Sequence, residues 1–400
     1  MQGFPSARLH HHGVSDCPTR IADGDCWKGH DTLEGSPVTI YVRLGGSDVP
    51  VERSVFSGLL GESVVRNRVP YTKALRKSRI TFDALVDLAR KAEVPYTLFF
   101  APQEVVDRQL KKKIDTLLAG LSKDAFSMNS RSPVQLCDVE LIVMDILRKQ
   151  EILKKLDDTL QKNTVVGCLK GSSRTVEQEA EALRSALGFT TDDVKGSKNK
   201  GAALDLLISR FESKQLLVSQ SQQNFMPQLL PRGAKFSGLC VRDKKIPFLF
   251  LTGGEGNNAE PAGRKVFTLV LLGVFAARGK FTAVTYDDQT GEPITNHEYE
   301  LTEEILMPAA ELRRLDAATL DAVKACADTY RVTPSAFVMR ARHLGMISRD
   351  GADDYLGQLA DEFGQRRELM IRRPKPVNSI RKYNGAEYSR RMLRRRDDLT

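Results

Sequence analysis

The sequence has no apolar run long enough to cross a membrane. The longest, residues 266–277, contains twelve residues, including one threonine and one glycine, whereas a membrane-spanning helix needs about 20. We therefore expect a buried helix at this position. The first residues also lack the basic patch and apolar stretch of a secretory leader, so we expect a cytoplasmic protein.

Cysteine is scarce and scattered. The six cysteines form no CxxC pair and show no disulfide-framework spacing, so we expect reduced, structural thiols. The first 36 residues contain five candidate metal ligands: His10, His11, His12, Cys17 and Cys26. Adjacent histidines do not easily converge on one ion, and we interpret residues 1–36 as a flexible segment. We predict no metal and no cofactor.

Acidic residues are outnumbered, which leaves a net charge of +9. Most of the excess lies in residues 363–400, with twelve Lys/Arg against four Asp/Glu. A basic excess favours an acidic partner, and nucleic acid is the commonest. The tail either contacts a phosphate backbone or is a solvated end that aids solubility. Its candidate nucleic-acid contacts are Arg390, Arg391, Arg394, Arg395 and Arg396.

Several helices and a few strands are predicted along the chain. Residues from Phe82 to Ala89 show the i, i+3, i+4, i+7 apolar spacing of an amphipathic helix, with Thr81 as its N-cap. Two apolar strands in the runs FSGLCV and PFLFLTG predict a hairpin with its turn at 242–245. The other predicted elements are helices within 103–162, two helices within 175–218 followed by a short strand at LLVSQ, a helix from Lys265, a strand at TAVTYDD and helices over 300–347.

Basic residues precede the first of these helices. Lys73, Arg76, Lys77 and Arg79 lie on a predicted short helical segment. A short basic helix before a second helix is how helix-turn-helix modules meet the phosphate backbone. A small helical domain with a solvated basic face explains the same residues equally well, so both interpretations stay open.

Other motifs with known chemistry are absent from the sequence or incomplete. The segment TGGEGNNAEPAG at 252–263 is glycine-rich and precedes a helix, but it has no GKS/T ending and no GxGxxG pattern, so we predict a surface loop. No GxSxG motif is present, and the cysteines have no nearby histidine that would make one of them a nucleophile.

The order of these segments resembles the ImmA/IrrE-type metallopeptidase family, in the subgroup where a helix-turn-helix precedes a zincin-like domain. The match runs from about Ile80 to Ile347 and rests on seven segments in sequence: ITFDALVDLARKAEVPYTLFFAP, RSPVQLCDVELIVMDILRKQEIL, VVGCLKGSSRTVEQEAEALRSALGF, FSGLCVRDKKIPFLFLTG, VFTLVLLGVF, EEILMPAAEL and YRVTPSAFVMRARHLGMIS. The resemblance implies an α+β, mainly helical fold with a small sheet.

The residues required for the family's zinc chemistry are missing from this sequence. In an HExxH motif, two histidines one helical turn apart bind zinc, and the glutamate polarises the bound water. The matching positions hold Leu271, Leu272 and Phe275, and Thr295 stands at the third-ligand position. None of these side chains ligates zinc in the usual way. His297 and His343 do not restore the motif, because neither has a second histidine at the required spacing.

The resemblance implies a catalytically inactive regulatory protein, in the setting of transcription, phage immunity, mobile elements or stress. It would act by binding DNA or a protein. The alternatives are an antitoxin-like or inhibitor-like interaction protein that uses the former cleft without binding DNA, and a residual zinc metallopeptidase. The predicted domains are 1–36 (flexible segment), 37–102 (degenerate helix-turn-helix-like helical module), 103–162 (helical bridge), 163–362 (pseudo-metallopeptidase domain) and 363–400 (basic tail).

Overall fold

The computed structural model describes residues 38–61, 63–121, 136–222, 225–230, 236–255, 258–285, 297–365 and 376–397. Over these ranges the chain is mainly helical with small sheets, which confirms the predicted α+β class. In the same ranges, no helix has both the length and the apolar character needed to cross a bilayer. The candidate ligands His10, His11, His12, Cys17 and Cys26, and also Thr295, lie outside the described residues.

The N-terminal part is a three-stranded sheet with helices packed against one face. The strand order is β2-β1-β3, with β1 antiparallel to β2 and parallel to β3. The elements in chain order are β1 (Thr39–Leu44), β2 (Ser47–Glu52), α1 (Arg53–Leu60), α2 (Val69–Lys77), β3 (Arg79–Thr81), α3 (Phe82–Lys91), a 3-10 helix (Tyr96–Phe100) and α4 (Gln103–Ala119).

The module predicted as helical over 37–102 contains strands as well as helices. In β1, Ile40 and Val42 are buried while Tyr41 and Arg43 are exposed, which is the two-residue period of a strand. Gly45 and Gly46 have positive φ and form the two-residue loop to β2. The predicted N-cap at Thr81 is confirmed, since its hydroxyl accepts a hydrogen bond from the Ala84 N–H.

The remainder of the described chain is arranged around a four-stranded sheet. Its helices and strands are α5 (Leu136–Leu156), α6 (Val176–Leu187), α7 (Thr191–Lys195), α8 (Lys200–Ser213), β4 (Leu217–Gln220), β5 (Phe236–Val241), β6 (Phe248–Leu251), β7 (Gly254–Glu255), β8 (Asn258–Ala259), α9 (Ala262–Arg278), β9 (Ala283–Thr285), α10 (His297–Leu306), α11 (Ala309–Leu312), α12 (Leu320–Thr329), α13 (Pro334–His343), α14 (Arg349–Gln365), α15 (Pro376–Asn384) and α16 (Ala386–Asp397).

The four-stranded sheet is the middle of three layers, with α5 on one face and α8, α9 and α10 on the other. Its strand order is β4-β6-β5-β9, and the predicted β5–β6 hairpin is confirmed as antiparallel. Along β6, Phe248 and Phe250 join a core with α5, whereas Leu249 and Leu251 join a second core with α8, α9 and α10. Because both faces are covered, the strands are continuously apolar instead of alternating with polar residues.

Two glycines allow α9 to lie close to its neighbours. A Cβ at Gly273 would lie 2.6 Å from the Phe211 ring on α8, and one at Gly238 on β5 would lie 3.1 Å from the Leu272 side chain on α9. The close approach of α9 to α8 and β5 therefore depends on glycine having no side chain at these two positions. As a result, α9 is buried along nearly its whole length, as its apolar sequence predicted.

The basic tail is not a solvated end over its described helices. Helices α15 and α16 pack against β4 and α5. Tyr383 on α15 and Tyr388 on α16 are buried in the core beside α5. The apolar faces of the two helices account for this packing, because their aromatic rings leave water on docking.

Candidate functional site

The positions that match the zinc motif are in the hydrophobic core. Leu271, Leu272 and Phe275 on α9 are 1%, 0% and 2% exposed. Their side chains offer no nitrogen, oxygen or thiolate to a metal, so this helix does not fit zinc. Among the described residues, no three His, Cys, Asp or Glu side chains converge as a potential metal site.

A small cavity remains beside α9. Its volume is about 160 Å³, and its walls include Arg264, Phe267, Leu271, Val284 and Tyr299. Burial raises the pKa of the Tyr299 phenol to about 12, so this group stays protonated near neutral pH. The cavity offers an apolar recess with one cationic side chain at its wall, and it lacks a base poised for hydrolysis.

The two histidines considered as substitute ligands lie in separate ionic clusters. Nε2 of His297 is 2.9 Å from Oε2 of Glu179. Nδ1 of His343 is 2.9 Å from Oε2 of Glu303, and this hydrogen bond raises the pKa of His343. Each carboxylate also pairs with an arginine, Arg278 for Glu179 and Arg340 for Glu303. The histidines are therefore held in ion-pair networks between helices.

The network around His343 links α10, α11 and α13. Arg340 is 3% exposed and pairs with Glu304 as well as Glu303. Its Nε donates to the carbonyl oxygen of Met307 at 3.2 Å, and Glu304 accepts from the Ala309 N–H at 3.1 Å. Buried charges of this kind are tolerated because each has a partner, and the network fixes the short connection between α10 and α11.

Three of the four predicted N-terminal contacts lie on one helix. Lys73, Arg76 and Lys77 are exposed on α2, and their i, i+3, i+4 spacing places them on one face. No carboxylate of the described residues forms an ion pair with them. Arg68, which the sequence analysis did not identify, is exposed at the N-cap of the same helix. We call these four residues the α2 basic face.

The fourth predicted residue, Arg79, differs from the other three. It lies on strand β3 instead of the predicted helical segment. Its guanidinium is 2.8 Å from a carboxylate oxygen of Asp48. Pairing with a carboxylate reduces the positive charge that Arg79 can offer to an anion, so we do not include it in the α2 basic face.

Helix α3 is poorly suited to an anionic ligand. Its first turn carries Asp83, and Asp87 in its next turn pairs with Lys91 at 2.5 Å. A hydrogen bond from Lys91 lowers the pKa of Asp87, so this carboxylate is charged at neutral pH. The two acids of α3 balance Arg90 and Lys91 on the same helix, so α2 is the more basic element of the pair.

The predicted contacts on α16 are largely engaged within the protein. Arg390 donates to Glu387 at 2.6 Å. Arg391 donates to Glu387 at 2.7 Å and to Asp157 at 2.6 Å, with its side chain 15% exposed. Arg394 is exposed, and the side chains of Arg395 and Arg396 lie outside the described residues. Among the described residues, Lys73, Arg76 and Lys77 on α2 thus have no carboxylate partner, whereas Arg390 and Arg391 on α16 are paired.

The glycine-rich segment at 252–263 contains the short hairpin formed by β7 and β8. Residues 256 and 257 lie outside the described ranges.

Searches against protein-family models, curated proteins and solved structures give no match to this chain.

Proposed function

We propose that this chain is a non-catalytic regulator of the ImmA/IrrE type that contacts a DNA backbone through the α2 basic face. The observation that supports the proposal is a set of exposed cations on that helix: Lys73, Arg76 and Lys77, which have no carboxylate partner among the described residues, and Arg68 at the N-cap. Lys and Arg side chains free to approach phosphate supply most of the sequence-independent affinity of DNA-binding proteins.

The connection between α2 and α3 also supports this proposal. Residues 78–81 join the two helices, and a turn of three or four residues is typical of a helix-turn-helix. Ser78 turns the chain in the left-handed region, with φ 50°. The connection differs from a simple turn because residues 79–81 pair with β1, so the helices are fixed to the sheet.

Fluorescence anisotropy on a labelled duplex, repeated over a range of salt concentrations, tests the DNA proposal. The test variant carries Lys73→Ala, Arg76→Ala and Lys77→Ala. We expect the slope of log affinity against log salt to decrease by roughly 0.9 for each lost phosphate contact. The control carries Lys91→Ala, Lys324→Ala and Arg390→Ala, which remove three carboxylate-paired cations.

The control variant has the same net charge as the test variant, so only the location of the lost charge differs. We expect its slope to stay close to that of the wild type. The DNA proposal is wrong if the wild type shows no salt-dependent binding, or if the control loses as much affinity as the test variant.

Absence of catalysis is a separate part of the proposal. It is supported by the apolar side chains of Leu271, Leu272 and Phe275. Elemental analysis of the purified protein should give less than about a tenth of an equivalent of zinc. Near one equivalent of zinc, lost on His297→Ala or His343→Ala, would favour the residual metallopeptidase instead.

The second candidate function is an interaction protein that does not bind DNA. The cavity beside Leu271 favours it, because about 160 Å³ is enough for one apolar side chain of a partner. Purification of the chain with a stoichiometric protein that Leu271→Trp releases, together with no DNA shift, would support this candidate over the first.

A further inference from the structure

A second cavity lies where the N-terminal part meets α5. Its volume is about 180 Å³, and α1, the 3-10 helix, α4 and α5 all contribute to its walls. An engineered cavity of about 150 Å³ in another protein binds benzene. The present cavity, which we call the α5 cavity, therefore has room for a ligand of about six or seven non-hydrogen atoms.

Most of the α5 cavity wall is apolar. Leu59 comes from α1, Leu98 from the 3-10 helix, Leu110 from α4, and Leu141 and Met144 from α5. These side chains come from four separate elements, so the cavity is a feature of the tertiary structure. An aliphatic chain would exchange water for these surfaces on binding, which is favourable.

Two carboxylates and two cations complete the wall. Glu140 on α5 forms an ion pair with Lys113 on α4. Glu93, which follows α3, forms an ion pair with Arg148 on α5. Glu93 is one of the few non-glycine residues with positive φ, at 52°, a conformation that L-residues seldom adopt without a local or functional reason.

The four charges differ in how deeply they lie. The Glu140 side chain is 3% exposed, whereas Lys113 is 25% exposed and Arg148 is 52% exposed. Interactions with a buried charge are screened less by water and salt than those with an exposed one. The charge that an occupant of the cavity would feel most is therefore the negative charge of Glu140.

Lys113 does not fully compensate this carboxylate. Burial raises the pKa of Glu140, the attraction of Lys113 only partly offsets that effect, and the charge of Glu93 adds to the rise. A further positive charge placed near Glu140 would stabilise its ionised form. A negative charge placed against Glu140 would be repelled by its carboxylate, and the attraction of the more exposed Lys113 and Arg148 would be more strongly screened.

We propose that the α5 cavity binds a small primary ammonium ion with an aliphatic chain. The ammonium group lies against the carboxylate of Glu140, and the chain packs against Leu59, Leu98 and Leu110. Neither the DNA contact of α2 nor the former zinc helix forms part of this site, so the proposal stands apart from the proposed function.

Isothermal titration calorimetry on the full chain, near neutral pH, tests this site with three probes of one chain length. The probes are n-pentylammonium, 1-pentanol and pentanoate. We expect saturable binding of the ammonium ion, at least about tenfold weaker binding of the alcohol, and no binding of the carboxylate. Absence of saturable ammonium binding, or equal affinity for all three, would overturn the proposal.

Variants assign the site. Glu140→Gln should weaken n-pentylammonium binding by at least about tenfold, because the carboxylate that pairs with the ammonium ion is lost. Glu151→Gln, an exposed carboxylate on the same helix, should leave the affinity unchanged. Leu110→Phe keeps Glu140 but fills the cavity, and it should also weaken binding, so the test remains decisive if Glu140→Gln does not fold. Unchanged affinity in a folded Glu140→Gln or Leu110→Phe variant would contradict the assignment.

Discussion

Helices α2 and α16 are both rich in basic residues, but they use them differently. On α2, Lys73, Arg76 and Lys77 are exposed and have no carboxylate partner among the described residues. On α16, Arg390 and Arg391 donate to Glu387, and Arg391 also donates to Asp157. A cation already engaged with a carboxylate has less to gain from a phosphate.

The difference shows that basic residues in a sequence do not by themselves identify an anion-binding surface. Residues 363–400 hold most of the net charge, yet their described helices anchor the chain to the sheet. The Lys149 ammonium lies 4.0 Å from the Tyr383 ring centroid, and the Tyr383 hydroxyl donates to Asp145 at 2.6 Å. Contacts of this kind identify α15 and α16 as structural helices.

The largest expected effect comes from removing the anchor of α15. Tyr383→Ala should lower the free energy of unfolding by about 3–5 kcal/mol, as for other large buried aromatic side chains. Urea unfolding measures the change. Tyr383→Phe keeps the ring and loses only the hydrogen bond to Asp145, so it should cost about 1–2 kcal/mol. A Tyr383→Ala protein as stable as the wild type would show that α15 is not anchored.

The second effect concerns Glu212, whose carboxylate lies at the N-terminus of α16. Its oxygens accept from the Val218 N–H at 3.4 Å and the Glu387 N–H at 3.1 Å. Burial nevertheless raises its pKa to about 7 from 4.5. The folded protein therefore holds the proton more tightly than the unfolded chain. The stabilisation contributed by protonated Glu212 is complete below pH 4.5 and is lost as the pH rises to about 7.

The size of this loss follows from the pKa difference and is about 3 kcal/mol. Urea unfolding at several pH values should show the stability of the wild type falling relative to Glu212→Gln between pH 5 and 7. Glu300→Gln, which changes an exposed carboxylate on α10, should run parallel to the wild type. A constant difference between the wild type and Glu212→Gln would contradict the raised pKa.

An intermediate effect is expected from the arginine that links α16 to the end of α5. Arg391→Ala leaves the Asp157 carboxylate, which is 9% exposed, without its cation. Hydrogen bonds to charged groups contribute about 1.5–3 kcal/mol, and we expect a loss of stability in this range. The double variant with Asp157→Asn should recover part of it. No recovery would mean that the pair contributes little.

The smallest effect on stability is expected on α2. Arg76→Ala removes an exposed side chain that has no ionic partner among the described residues, so the free energy of unfolding should change by no more than about 0.5 kcal/mol. The same variant should still reduce the salt dependence of DNA binding. If Arg76→Ala destabilises the protein as much as Arg391→Ala, the contrast between the two helices is lost.

Local signals in the sequence predicted local structure correctly. Thr81 caps its helix, the two short apolar runs form the β5–β6 hairpin, and the continuous apolar run of α9 is buried. Each depends on residues close together in the chain. Strand β1 also carries a local signal, because the apolar residues Ile40 and Val42 alternate with Tyr41 and Arg43.

Partners far apart in the sequence could not be predicted in this way. Asp145 and Tyr383 are separated by 238 positions, and Asp157 and Arg391 by 234. No periodicity connects such residues, so the composition of the tail does not show that its helices pack against α5 and β4. The α5 cavity was missed for the same reason, since Glu93, Lys113 and Glu140 come together only in the folded chain.

The covering of β4 by α15 and α16 has a consequence for protein synthesis. Strand β4 is complete at residue 220, but its cover is complete only at residue 397. At about 5–20 residues per second, the ribosome needs roughly 10–30 s to make the chain between them. Until then the edge of a growing sheet is open to pairing with another nascent chain. We therefore expect the unfinished polypeptide to be more prone to aggregation than the finished chain.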